Sequence, residues 1–121
     1  MSYSFELGAD GILRIKFKGD IDEVEVRNYM AEYQTYLEAE SVDKPLHTII
    51  EASEVGKASA SVRRIFGTLF QDADPRSGRS AIIGASRYIR VLAGFVIKAT
   101  GTKDLRLFQT EAEAMGWFHS E

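Results

Sequence analysis

Apolar and polar residues alternate over residues 3–7, with Tyr3, Phe5 and Leu7 on one side, the period-two signature of a half-buried strand. Residues 8–11, Gly-Ala-Asp-Gly, carry turn chemistry. Alternation then resumes, sending Leu13, Ile15 and Phe17 to one face and Arg14, Lys16 and Lys18 to the other. The two runs predict an antiparallel hairpin ended by Gly19 and Asp20. From there the period changes. Val26, Tyr29, Met30, Tyr33 and Leu37 recur at spacings of three and four, which is one face of a helix. Asp22 lies three residues before Glu25, as in a capping box, and the acidic start suits the positive end of a helix dipole. The helix should end near Glu40, ahead of Pro45.

Residues 46–50 are short and β-branched, a buried strand. A serine-rich and cationic turn follows, then a stripe of Val62, Ile65, Phe66, Leu69, Phe70 and Ala73 that predicts a second helix. Residues 74–78 break it, and residues 80–84 read as a third buried strand. Ser86 caps a helix striped by Ile89, Leu92, Ala93, Val96 and Ile97 and closed by Gly101. Residues 105–108 form a last short strand. Thr110 with Glu113 is a capping box, and Ala114, Trp117 and Phe118 line the final helix. The order β-β-α-β-α-β-α-β-α predicts a single α/β domain over residues 1–121. Its sheet is mixed and mainly parallel, with an N-terminal β-hairpin. Right-handed crossovers should place the helices on either face as strand order dictates.

Composition narrows the chemistry. The 121 residues suffice for one core, and 45% apolar with 27% charged residues is the balance of a folded globular chain. No cysteine is present, which removes disulfides, thiolate metal sites and cysteine nucleophiles. The two histidines, His47 and His119, lie far apart. No apolar run approaches the ~20 residues of a membrane span, and the first residues lack a secretory pattern, so a cytoplasmic location is expected. No phosphate loop, metal motif or nucleic-acid module appears, so no cofactor and no nucleic-acid partner is expected. The net charge of −3 is lopsided. Residues 1–55 carry 5 Lys and Arg against 12 Asp and Glu, whereas residues 56–121 carry 10 against 6. Such asymmetry steers an oppositely charged partner or pairs two copies head to tail, unless the charges mix on the surface. Phe95, Val96 and Ile97 make a run wider than one helix face requires, which suggests a homodimer using the helix that begins at Ser86.

The turn within residues 53–70 is the first choice for a working site. Ser59 and Ser61 stand where the second helix should be capped, and a capping serine contributes ~1 kcal/mol. A phosphoacceptor or a ligand contact is the alternative role. Arg63 and Arg64, and Arg87 and Arg90 after Ser86, occupy first-turn positions that a helix dipole disfavours by ~0.3–1 kcal/mol each. Both helix starts follow strand C-termini, the edge of an α/β sheet where ligands bind. Serines, backbone donors and arginines together suit an anion. The alternative is that the arginines pair with Glu51, Glu54 or Asp74. No catalytic serine is indicated, because no G-x-S-x-G surrounds one.

Three segments carry a family resemblance. Residues 11–19, GILRIKFKG, run as a strand to a glycine before the first helix. Residues 49–53, IIEAS, end a central strand in an acidic residue. Residues 107–118, LFQTEAEAMGWF, join a strand ending in Phe to a helix ending in Trp. Together they resemble the STAS domain of bacterial anti-sigma-factor antagonists, and more closely the SpoIIAA-like family, related in outline to CRAL-TRIO lipid-transfer domains. The resemblance implies a non-enzymatic regulatory domain that acts on another protein, with a carrier of an anionic or lipid-like molecule as the alternative. In antagonists an Asp-Ser pair opens the helix after the central strand, and a kinase partner phosphorylates that serine. Here Ala58 precedes Ser59, the aspartate is missing, and the resemblance implies that Ser59 is not a phosphorylated switch.

Overall fold

The computed structural model describes residues 2–40, 43–71 and 74–120, and their elements follow the expected order. They are β1 (Ser2–Leu7), β2 (Leu13–Ile21), α1 (Glu23–Leu37), β3 (Leu46–Ala58), α2 (Ala60–Gln71), β4 (Ser77–Ile83), α3 (Arg87–Thr100), β5 (Leu105–Phe108) and α4 (Glu111–Phe118). The caps are where the residue types put them. Asp22 accepts from the Glu25 amide at 2.8 Å, and Thr110 accepts from the Glu113 amide at 3.2 Å. Gly101, at φ 67°, closes α3 in the left-handed conformation that glycine adopts without strain. The expected stripe positions Leu69 and Phe70, as side chains, and Ala73 lie outside the described residues.

The strands stand side by side as β1-β2-β3-β4-β5, antiparallel at β1-β2 and parallel thereafter. Each crossover advances one strand in the same direction. Crossovers of one hand then pass over one face, so strand order sends α1, α2 and α3 to the same side. Under α1 and α2 lie Leu13, Ile15 and Phe17 with Val26, Tyr29, Tyr33 and Val62. Under α3 lie Ala52, Ile82 and Leu105 with Ala93. Of the described helices only α4 crosses to the opposite face, where Ala114, Trp117 and Phe118 cover Ile12, Ile49 and Ala81.

Two strands outrun their sequence pattern. β2 continues through Gly19 and Asp20 to Ile21, and β3 continues past Ile50 to Ala58, so residues 53–58 of the expected turn are strand. The extensions pair with each other across register shifts at Lys16/Lys18 and Gly19/Ile21. Asp20 ties the end down, its carboxylate accepting from the Lys57 amide at 2.8 Å.

His47 is structural. Its Nδ1 accepts from the Arg79 amide at 2.9 Å, and its ring stacks on Phe118 with centroids 5.0 Å apart. Burial first, and then the charge of Arg79, push its pKa below the ordinary value. A folded-state pKa below that of the unfolded chain means the unfolded chain binds the proton first. This contribution to stability is therefore complete above ~6.5 and declines as the pH falls below it. Urea midpoints should drop between about pH 7 and 5 in the wild type, and this part of the drop should vanish in His47→Gln. An unchanged pH slope in the variant would reassign it to other groups.

Candidate functional site

The end of β3 delivers the chain to the start of α2 at Ser59, whose Oγ accepts from the Val62 amide at 3.3 Å. The Ser59 and Ser61 hydroxyls lie 3.0 Å apart. Ser86 caps α3 in the same way, accepting from the Ile89 amide at 3.3 Å. Ser59 and Ser86 are therefore helix caps, and no histidine or carboxylate bonds to either hydroxyl among the described residues. The residue that joins the two turns is Tyr88. Its hydroxyl donates to the Ala58 carbonyl at 3.1 Å and accepts from the Ala58 amide at 3.3 Å. That clasp satisfies the last backbone groups of β3 from the first turn of α3, so both helix starts stand at one edge.

Arg63, Arg64, Arg87 and Arg90 are all exposed there. The expected pairing with Glu51, Glu54 or Asp74 does not occur. Glu54 lies 3.1 Å from Lys16 and 3.7 Å from Lys18, Glu51 lies 3.9 Å from Lys16, and Asp74 lies 2.7 Å from Arg76. The sheet lysines face those glutamates directly across the β2–β3 register, and Arg76 is two residues from Asp74, so nearer cations win. Among the described residues none of the four arginines forms an ion pair. Arg64 does face the start of α1. Glu23 is held below the usual carboxylate range chiefly by Arg27, with smaller help from Ser61 and Arg64.

Behind the arginines, α2 and α3 part over the sheet around a cavity of about 600 Å³. Phe17, Ile50, Ala52 and Ile82 belong to its sheet side, Phe66 and Val96 to its helices, and its only charged lining among the described residues is Arg63 and Arg64. α3 also shows a second apolar stripe, of which Phe95 alone lines this cavity among the described residues. Tyr88, Val91 and Phe95 are 38%, 52% and 69% exposed. Their spacing of three and four puts them on one helix face, separate from the Ile89–Ile97 stripe that meets the core. The run of residues 95–97 singles out Phe95 in the sequence but not Tyr88 or Val91. The signal was present, since a helix with one core face has no packing use for three more large apolar residues at helical spacing.

No group of three or more potential metal ligands occurs among the described residues, and no helix of theirs is long and apolar enough to cross a membrane. A family model described as SpoIIAA-like matches residues 12–119. No curated protein sequence matches the chain. Among solved structures, a protein with a SpoIIAA-like fold from Shewanella loihica PV-4 superposes with a TM-score of 0.69 at 17% identity, covering 96% of this chain and 91% of that one. The anti-sigma factor antagonist SpoIIAA in its unphosphorylated form gives 0.67 at 15%, covering 99% and 100%. An anti-sigma factor antagonist from Mycobacterium paratuberculosis gives 0.64 at 16%, covering 98% and 96%. At these identities the likeness is one of fold.

Proposed function

Because the chain belongs to the SpoIIAA-like family, we propose that it is a non-enzymatic cytoplasmic regulatory domain that docks another protein on its α2–α3 face. The observation that carries this reading is the exposed Tyr88–Val91–Phe95 stripe beside four arginines that have no ion-pair partner among the described residues. Large aromatic and arginine side chains are the groups that dominate protein interfaces. The partner surface that fits is apolar at its centre and acidic around it. A second copy of this chain is one candidate, because its residues 1–55 supply the acidic surface. Ser59, as an N-cap with Ala58 before it, acts in this reading as structure and not as a phosphorylated switch.

A carrier function is the second reading, and the apolar cavity behind Arg63 and Arg64 favours it, since an acyl or ring group with an anionic head would match that lining. Native mass spectrometry of the purified protein separates the two. A docking domain should appear as apo monomer or dimer, and light scattering at micromolar concentration should show whether the 13.5 kDa chain self-associates. A stoichiometric co-purified organic molecule would overturn the docking reading in favour of the carrier.

A further inference from the structure

A second cavity, of about 830 Å³, lies between α1 and α2 toward the starts of the parallel strands, and its floor is polar where a core should be apolar. Thr48 of β3 is 1% exposed and lines this cavity, and its Oγ1 has no hydrogen-bond partner among the described residues. Ser80 pairs with it across the β3–β4 register and is 6% exposed on the same floor. Tyr33 and Ser77 meet there through their hydroxyls at 2.7 Å. A buried hydroxyl left without a partner is a net cost to folding, and valine fills the same volume in a strand without that cost. Such a group therefore marks a place where something polar is received.

The surroundings restrict what that is. The side walls include the rings of Tyr29, Tyr33 and Phe66, and Tyr29 and Tyr33 stack on each other at 6.0 Å and 21°, an aromatic wall against which a ring compound can pack. No charged side chain stands among the floor residues named above. Arg27 is committed to Glu23 by bonds of 3.1 and 2.8 Å, and Asp74 to Arg76. Arg64 and Asp104 also line the cavity, but both are exposed to solvent, so a charge carried down to the buried Thr48 would be stripped of water without a buried counter-charge, and an ionised ligand is disfavoured there. We propose that the α1–α2 cavity binds a small neutral ring compound whose hydroxyl or carbonyl group pairs with Thr48. This site is separate from the α2–α3 face and does not depend on what docks there.

The test uses the full chain, with p-cresol and toluene as probes that share a ring and methyl but differ in the hydroxyl. Amide resonances of residues 48, 77 and 80 should shift on p-cresol titration, and binding should be unaffected by Gly67→Leu, which plugs only the α2–α3 cavity. Thr48→Val should weaken p-cresol about tenfold, or about 1.4 kcal/mol, and leave toluene unchanged. The same variant should raise the melting temperature of the free protein by a few degrees. Thr48→Ser keeps the hydroxyl and should keep p-cresol affinity, which holds the test open if the valine variant does not fold. The proposal is overturned if neither probe shifts those residues, which would leave a water-filled cavity only. It is also overturned if Thr48→Val weakens both probes equally, or if Thr48→Ser loses p-cresol binding.

Discussion

Trp117→Ala should lose about 3–5 kcal/mol of stability, the range for truncating a large buried aromatic. For a domain of this size that corresponds to a fall in melting temperature of roughly 12–20 °C. Trp117 is 7% exposed and belongs to the only described helix on its side of the sheet. Its ring contacts Phe108 and Phe118 at centroid distances of 5.6 and 5.7 Å, so truncation opens a gap that α4, eight residues long, is too short to close by bending. Two cations lose their platform as well. Arg79 and Arg106 stack on the indole at 5.3 and 5.1 Å, contacts worth ~0.5–1 kcal/mol each at exposed sites. Arg79 also donates to the Trp117 and Ser120 carbonyls, which survive the substitution, so the helix end stays tethered while its packing is lost. Trp117→Phe should recover more than half of the deficit. Urea unfolding with unchanged slope is the measurement, and a loss below about 1 kcal/mol would show that α4 contributes little to the fold.

The same residue shows what could be read in the sequence. Trp117, Phe118 and Ala114 announced themselves by helical spacing behind the Thr110–Glu113 box, and the structure buries all three. Caps and core faces are local, so Asp22, Ser86 and Gly101 were legible too. The extension of β3 was not. Ala52, Val55 and Ala58 meet the core at intervals of three, because the β2–β3 register slips twice, and that interval hides the period of two. The side taken by each helix depends on strand order, which no window of sequence contains. Nor could it be read off that the four arginines lack Glu54 as a partner, since Glu54 pairs across the sheet with lysines that precede it by more than thirty residues. Thr48 looked like an ordinary strand residue. Its missing hydrogen bond follows only from what the packed helices above it fail to supply.

Phe95→Ala should leave stability within about 0.5 kcal/mol and yet reduce partner binding by 2 kcal/mol or more, roughly thirty-fold. The asymmetry follows from exposure. At 69% exposed, the Phe95 ring gains little from the fold, so whatever it gains must come from a molecule that covers it. A photo-crosslinking residue at position 95 should capture that partner, and one at Glu32, on the exposed face of α1, should not. Arg87→Glu should slow association and reverse its salt dependence, because an exposed charge acts mainly on encounter. Gly67→Leu provides the opposing case. Gly67 sits inside α2, an added Cβ there meets nothing within 4 Å, and the residue lines the apolar cavity. Leucine should strengthen the helix by up to ~1 kcal/mol while filling the space a carried ligand needs. A docking domain tolerates Gly67→Leu and fails with Phe95→Ala. A carrier fails with Gly67→Leu and tolerates Val91→Ala, because its ligand occupies the cavity that Gly67 and Phe95 line, whereas Val91, 52% exposed, is not part of that lining.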